Sequence, residues 1–444
     1  MLANTSAFSG YPRSVRPAPD PIGLYFWLGR NDHLEVLNFI ASGEAACCGF
    51  VFDPTLLKRH QDLREQVLNR RLDAILDPKT QQSATPGGYN NRLGDLPWGV
   101  RRPHTPVDFE ERSGRRLLAA LGDFVLEHGF TQVLAPTHVL RSAHDEWLAT
   151  DLESTRRLRG HLDRRGSEVP IIYSLAVAYS VLRDPEQRSK LVDALRTAPA
   201  SAVWLKVDGF GSSSSASAIR TYLEAAADFR ELDIPIIADH VGGLIGLSLL
   251  AFNATGGLAH GVTLGERFDA THWRKPRSES IFAPQRRVYI PQVDLMLKPA
   301  EARMLLGTSS RAKALFGCPD EKCCPRGITD MIENRARHFL YQRTKEVSHL
   351  SQIPERLRAQ RFLEQNVRPT TDRALAAANI DWQDEVMAKK TRNHRKRLDM
   401  LRVALGEYAS MSLPRSFAQL PKTRAVRDPS APRSVLAHKS YTEN

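Results

Sequence analysis

Three of the five cysteines fall in one short stretch, FGCPDEKCCPRG at residues 316–327, as Cys318, Cys323 and Cys324. Thiolates at such spacing bind zinc tetrahedrally, with an imidazole a usual fourth ligand. Two histidines, His338 and His349, follow the cluster. Packing as small hydrophobes is the plain alternative; in a cysteine-poor chain the cluster favours a structural zinc ion. The count is odd, and Cys47 and Cys48 lie far from the rest. A disulfide framework is therefore not expected, and a reducing, cytoplasmic setting is.

A second set of chemistry-bearing residues closes apolar runs. Asp77 ends DAILD, Asp208 ends AVWLKVD, and Asp239 with His240 ends PIIADH. His260 falls inside GLAHG, and Glu266, Arg267 and Asp269 follow it. Each alone reads as a helix cap or ion-pair partner. Several carboxylates around one mouth point to a site, because crowded like charges carry desolvation and repulsion costs that a function must justify.

The elements that must position these residues are eight apolar runs: 23–29, 47–53, 73–78, 131–136, 170–178, 202–211, 235–243 and 257–265. Most are β-branched or aromatic and end in Gly, Pro or Asp, as buried parallel strands do. Amphipathic stretches lie between them at 108–129, 184–198 and 212–233, the last opening on serines suited to a helix N-cap. Strand–helix repeated eight times over roughly 250 residues predicts an α/β fold, a (β/α)8 TIM barrel, whose chemistry sits at the C-terminal ends of the strands. No GxGxxG or Walker-type loop stands in the right context for an open doubly wound sheet. The organisation expected is a disordered arm over 1–22, the barrel over 23–285, a zinc-binding helical subdomain over 286–365, a basic helical extension over 366–412 and a disordered tail over 413–444.

Net charge is +12, which favours a polyanionic partner, nucleic acid first. Lys389, Lys390 and Arg392 lie on a helical pattern with Arg395, Lys396 and Arg397, and Arg274, Lys275 and Arg277 sit in WRKPR. Both stretches could grip phosphates. No apolar run reaches the roughly 18 residues of a membrane span, and the first residues lack a signal-peptide core.

At the cysteines the chain resembles the queuine and archaeosine tRNA-guanine transglycosylases, whose zinc ligands follow C-x-C-x2-C-x25-H. Cys318, Cys323 and His349 stand at matching positions, Asp320 replaces the second cysteine, and Cys324 follows the third. Cys324 is the preferred fourth ligand over Asp320, being the softer donor. The segment YSLAVAYSVLRDPEQRSKLVDAL at 173–195 is similar to that family's fifth strand and following helix. The altered motif looks more like the DNA-guanine transglycosylase branch, which puts 7-deazaguanine bases into DNA.

The resemblance implies exchange of guanine in DNA, or in tRNA, for a 7-deazaguanine such as preQ0, with a separate DNA-opening partner plausible. A carboxylate attacks C1′ to give a covalent aspartyl-glycosyl intermediate, and a second carboxyl group moves the proton of the departing and entering bases. Asp77 stands where the family places its acid/base. Asp239 is favoured as nucleophile over Asp269, while the family's own strand position offers His260. Asp208 would receive the N–H groups of guanine, and Gly209, Gly242 and Gly243 would admit a flat base. Two rival classes remain. One is a metal-dependent hydrolase ligated by His138, His240, His260 and Asp239; the other is a non-catalytic nucleic-acid-binding barrel.

Overall fold

All eight apolar runs become parallel strands of one sheet. The computed structural model describes residues 22–274 and 285–411. The strands are β1 (Gly23–Trp27), β2 (Gly49–Phe52), β3 (Asp73–Leu76), β4 (Gln132–Leu134), β5 (Ile171–Val177), β6 (Ala202–Val207), β7 (Ile236–Asp239) and β8 (Gly257–Gly261). Each pairs with its neighbours in sequence, β8 pairs with β1, and β4 pairs with β5, so the sheet closes on itself. This is a TIM barrel. A two-residue piece, Val139–Leu140, adds to the outer end of β5.

The interior fills as the two-residue period of a strand requires. Tyr25, Val51, Ile75, Leu134, Ile172, Trp204, Ile237 and Ala259, one from each strand, form a separate buried cluster. Their neighbours in sequence, such as Phe26, Phe50, Ala74 and Leu205, face the other way into the layer beneath the helices. Ser215 caps the helix Ala216–Phe229 by accepting from the Ala218 N–H at 3.2 Å, as its serine-rich start predicts.

The eighth helix of the barrel comes from an unexpected place. After β8 a short hairpin follows, β9 (Val288–Ile290) with β10 (Leu295–Leu297), and then the cysteine loop. The helix Arg335–Ser351 packs against both His33–Ala41, which follows β1, and Gly243–Ala251, which follows β7. That is the slot over β8, and Phe339 meets His260 of β8 edge-on there at 5.6 Å. One helix of the region expected as the zinc-binding subdomain thus completes the barrel wall.

The boundary expected at 365/366 falls inside continuous helix. Glu355–Phe362 runs through a π turn, Leu363–Val367, into Arg368–Ala378. Pro369 explains the wide turn, since its ring cannot share the preceding turn with an ordinary i−4 carbonyl. A long helix, Glu385–Met411, packs on Arg368–Ala378 and on Ala216–Phe229. Among the described residues no helix is long and apolar enough to cross a membrane.

Candidate active site and metal centre

Moving two residues along each strand from the Trp204 layer keeps the same face and reaches the C-terminal mouth. The residues there are Trp27, Asp53, Asp77, Ser174, Lys206, Asp239 and Gly261. An apolar layer thus gives way to a charged one in a single step. The two acids read from sequence, Asp77 and Asp239, both belong to it.

Asp239 is at the centre. Its Oδ1 accepts the Trp27 Nε1–H at 2.7 Å and the His240 Nδ1–H at 2.8 Å. Its Oδ2 lies 3.3 Å from the Lys206 ammonium and takes no hydrogen bond among the described residues. Burial opposes ionisation of this carboxyl, but Lys206 and then His240 outweigh it and hold the pKa at about 2. His240 is the reverse case, since burial keeps its ring neutral in spite of the neighbouring carboxylate. His240 also takes a positive φ of 59°, an uncommon conformation for a residue with a side chain.

Lys206 joins the mouth together. Its Nζ donates to Gln81 Oε1 at 3.1 Å and stands 4.8 Å from the Trp27 ring and 5.3 Å from the Phe268 ring. Gln81 in turn donates to Thr137 Oγ1 and to Ser174 O and Oγ at 2.9–3.1 Å. Also near Trp27, 5.8 Å from its ring, the Lys79 ammonium bridges Asp53 and Asp77 at 3.2 Å each. Burial disfavours that ammonium, yet the two carboxylates outweigh it and raise its pKa. The side chains of Asp77, Lys79, Asp53 and His240 are 16–20% exposed, which marks the opening.

The depressed pKa of Asp239 fixes a pH dependence. A carboxyl at about 2 in the fold and 3.8 unfolded adds stability above its unfolded value and loses it as pH falls toward the folded one. The fall in unfolding free energy between about pH 5 and about pH 2 should be smaller by about 2 kcal/mol in Asp239→Asn than in the parent chain, read from urea titrations at both pH values.

Several expected site residues are occupied otherwise. Asp208 does not wait for a base: it accepts the Ala270 N–H at 2.7 Å and pairs with Arg274. Arg274 is accordingly committed to Asp208 rather than free for phosphate. Gly242 and Gly243 are closely packed by rim side chains. A Cβ on Gly242 would lie 2.1 Å from Glu266 Oε1, and one on Gly243, at φ 64°, 2.7 Å from Asp294 Oδ1. Gly209, at φ 79°, turns the chain so that its N–H reaches Phe268 O at 2.9 Å. His260 points away from the mouth, buried between Phe26 and Phe339, because Ala259 holds the inward position on β8. Asp269 accepts the Thr271 N–H at 2.9 Å. Lys390 is paired with Glu301 at 2.6 Å, whereas Lys389 and Arg392 are exposed. Lys275 and Arg277 lie outside the described residues.

The sulfurs of Cys318, Cys323 and Cys324 and a nitrogen of His338 lie within 4.8 Å of one another, all four residues buried. His338 Nδ1 is 3.3 Å from both Cys323 and Cys324 Sγ, and those sulfurs are 3.6 Å apart. Zn–S near 2.3 Å and Zn–N near 2.1 Å put tetrahedral donors roughly 3.5–3.8 Å apart, so the spacing suits such an ion. The outer nitrogen, Nε2, meets the Tyr289 carbonyl at 3.0 Å, which turns Nδ1 toward the thiols as a supporting ligand partner should.

His349 is therefore not the imidazole ligand. It is exposed near the end of the same helix, eleven residues beyond His338, or about 16 Å along the axis. Cys324 is the additional donor, as preferred. Asp320 instead caps the loop, accepting the Lys322 and Cys323 N–H groups and pairing with Lys345 at 2.7 Å. Five residues past His338, on the same helix, Arg343 grips Glu266 with both prongs at 2.9 and 3.1 Å. The candidate metal cluster and the rim loop after β8 are thus held by one helix.

Trp27, Asp53, Lys79, Gln81 and Lys206 escaped the sequence reading. Asp53 carries the same signature as Asp77, an apolar run ending in Asp. Lys206 is a lone charge inside AVWLKV, and that interruption is the signal that could have found it.

No protein-family model matches the chain, and no curated protein does. Among solved structures it is similar to a GH10 xylanase from a Bispora species (11% identity, TM-score 0.36, covering 54% of this chain and 82% of the xylanase). It is likewise similar to a 2,3-dimethylmalate lyase (11%, 0.33, 54% and 76%). The carboxyl transferase domain of Rhizobium etli pyruvate carboxylase overlaps more of it (10%, 0.38, 91% and 67%). The closed eight-stranded sheet, rather than these partial overlaps, defines the fold.

Proposed function

We propose that this protein is a glycosyl-transfer enzyme that exchanges guanine in a nucleic acid for a 7-deazaguanine base, with DNA the favoured strand and tRNA the alternative. The observation that carries the proposal is the placement of Asp239: buried at the mouth beside the Lys206 ammonium, fixed through Oδ1, and left without a hydrogen bond at Oδ2 among the described residues. In the reaction Oδ2 attacks C1′, the C1′–N9 bond breaks, and its electron pair leaves with guanine. Asp77, a carboxylate paired with the Lys79 ammonium, relays that ammonium's proton to the departing base and returns the proton of the entering base to Lys79, and the entering base then displaces Asp239 from C1′. Atoms and charge balance over the two halves without an oxidant or a hydrolytic water. Trp27 and Phe268 give the opening aromatic walls for a base drawn out of its stack.

The Cys318, Cys323, Cys324 and His338 set fits a structural zinc ion, whose role is to hold the helix Arg335–Ser351 against β8. The hydrolase reading finds less support. Among the described residues the cysteine cluster is the one group of three or more donors placed to share a metal, and His138 and His260 stand apart from the mouth layer.

The test is an exchange assay with labelled guanine in duplex DNA, single-stranded DNA and tRNA, followed by denaturing isolation of a protein–strand adduct. Exchange without any adduct at Asp239 would reject the mechanism. Contact with the strand backbone gives a further expectation. Lys389→Ala with Arg392→Ala should weaken DNA binding about equally for all sequences. It should also reduce the slope of log K against log salt by about 2, measured by fluorescence anisotropy across a salt series.

A further inference from the structure

The chain that follows β8 turns back across the mouth. Its first part pairs with the loop after β6 as an antiparallel ladder. Gly211 faces Arg267 in a β bridge. The Ser212 N–H donates to Glu266 O at 2.8 Å, the Phe268 N–H to Phe210 O at 3.2 Å, and the Gly209 N–H to Phe268 O at 2.9 Å. Further on, Phe268 and Ala270 pack against Ala176 of β5, with Val139 and Trp273 beside them. At the far end Trp273 O accepts the N–H of Gly87, in the loop after β3, at 2.8 Å. Residues 266–274 thus form a strap that starts from β8, crosses the ends of β6 and β5 and reaches the β3 loop.

Asp208 ties this strap down through its side chain. Oδ1 accepts the Ala270 N–H at 2.7 Å, and Oδ2 pairs with Arg274. Asp208 stands two residues after Lys206, so the strap is fastened to the strand that carries the buried ammonium. Phe268 lies on its inner side, 3% exposed, with its ring 5.3 Å from the Lys206 ammonium and 5.8 Å from the His240 ring. Trp273 meets the Phe268 ring edge-on at 5.3 Å. Exposure falls on this side of the mouth. The Lys206 and Asp239 side chains are 4% and 0% exposed, against 16–20% for Asp53, Asp77 and Lys79 at the ends of β2 and β3.

We propose that Asp208 is a positioning residue: it pins the strap so that Phe268 roofs the Lys206–Asp239 pair, and a ligand enters the mouth from the β2–β3 side. The roof keeps water from the pair, and in a drier site both the hold of Lys206 on Asp239 and the attack of a fixed carboxylate are strengthened. The role in a reaction rests on the base-exchange reading. The pin and the roof are properties of the free chain, so the two can fail separately.

The full chain and its variants are compared by amide hydrogen exchange and by mild acylation of lysines, both read by mass spectrometry. Asp208→Ala should speed exchange at Phe268–Trp273 by about tenfold or more relative to the β6 amides of Trp204 and Leu205. Asp208→Asn, whose side-chain oxygen still accepts the Ala270 N–H, should recover most of the protection. Acylation of Lys206 should rise about tenfold or more in Asp208→Ala and in Phe268→Ala, while Lys322, 77% exposed, reacts at the parent rate. Phe268→Ala leaves the pins in place and tests the roof even if Asp208→Ala folds poorly. In the exchange assay Asp208→Ala should lower kcat on the order of 10²-fold with KM for the strand little changed, a split that loss of strand grip would not give. Strap amides no faster than those of β6 in Asp208→Ala, or Lys206 as slow in both variants as in the parent, overturns the inference. A parent chain without base exchange would reject the reaction, and the amide and acylation rates would still decide the pin.

Discussion

Asp239→Asn is expected to abolish base exchange, with a loss on the order of 10⁴-fold or more and no covalent adduct, because an amide cannot attack C1′. The same change touches stability, and the two effects must be separated. Asp239 neutralises Lys206, whose side chain is 4% exposed at 3.3 Å from it. Removing one partner of a buried pair strands the other charge and costs about 3–5 kcal/mol, whereas replacing both with apolar groups is often neutral. Asp239→Asn should therefore lower the unfolding free energy by an amount of that order. Adding Lys206→Met should recover much of it, because the two changes are coupled through contact. Activity should not return in the double variant. A double variant that is stable and still exchanges guanine at the parent rate would remove Asp239 from the mechanism. Asp77→Asn is predicted to be milder, about 10²–10⁴-fold in kcat, with adduct still detectable under long incubation.

The barrel was legible because each strand is buried on both sides and so reads as an unbroken apolar run. Asp77 and Asp239 were legible for a related reason: a charge directly after such a run must lie where the strand leaves the core. Asp53 obeys the same rule. Lys206 lies inside a run rather than at its end, and only the strand phase, with Trp204 inward two residues earlier, assigns it to the mouth. Phase also decides His260. Spacing along the chain placed it at the expected nucleophile, but Ala259 is the inward residue of β8, so its neighbour must face the helices.

The metal ligand shows the same limit on a helix. Counting 25 residues from Cys323 leads to His349, but a count does not say which turn faces the cysteine loop. His338 lies in the first turn, beside Tyr289 O and the three sulfurs. His349 is three turns further along. The eighth barrel helix was hidden because a long stretch of chain, with a hairpin and the cysteine loop in it, intervenes between it and β8 in sequence. Only tertiary packing on Gly243–Ala251 and His33–Ala41 reveals its place.

That placement would make a metal held by the cysteine cluster more than a local staple. The helix Arg335–Ser351 carries His338 at one turn, Phe339 against His260 of β8, and Arg343 against Glu266 of the rim loop. Metal binding and folding are coupled in small thiolate sites, where zinc binding supplies about 10–16 kcal/mol of apparent free energy. Part of that energy here should appear as barrel stability. One equivalent of zinc is expected in the purified chain by elemental analysis. Chelation should lower the thermal midpoint by several degrees and loosen the rim loop as well as the cysteine loop, read as faster amide exchange at Glu266–Phe268. His338→Ala and Cys323→Ser should each lose the ion and reproduce the chelated state. His349→Ala should keep it, since the exposed ring touches none of the donors. Retention of a full equivalent by His338→Ala together with its loss from His349→Ala would reverse the ligand assignment and detach the eighth helix from the metal.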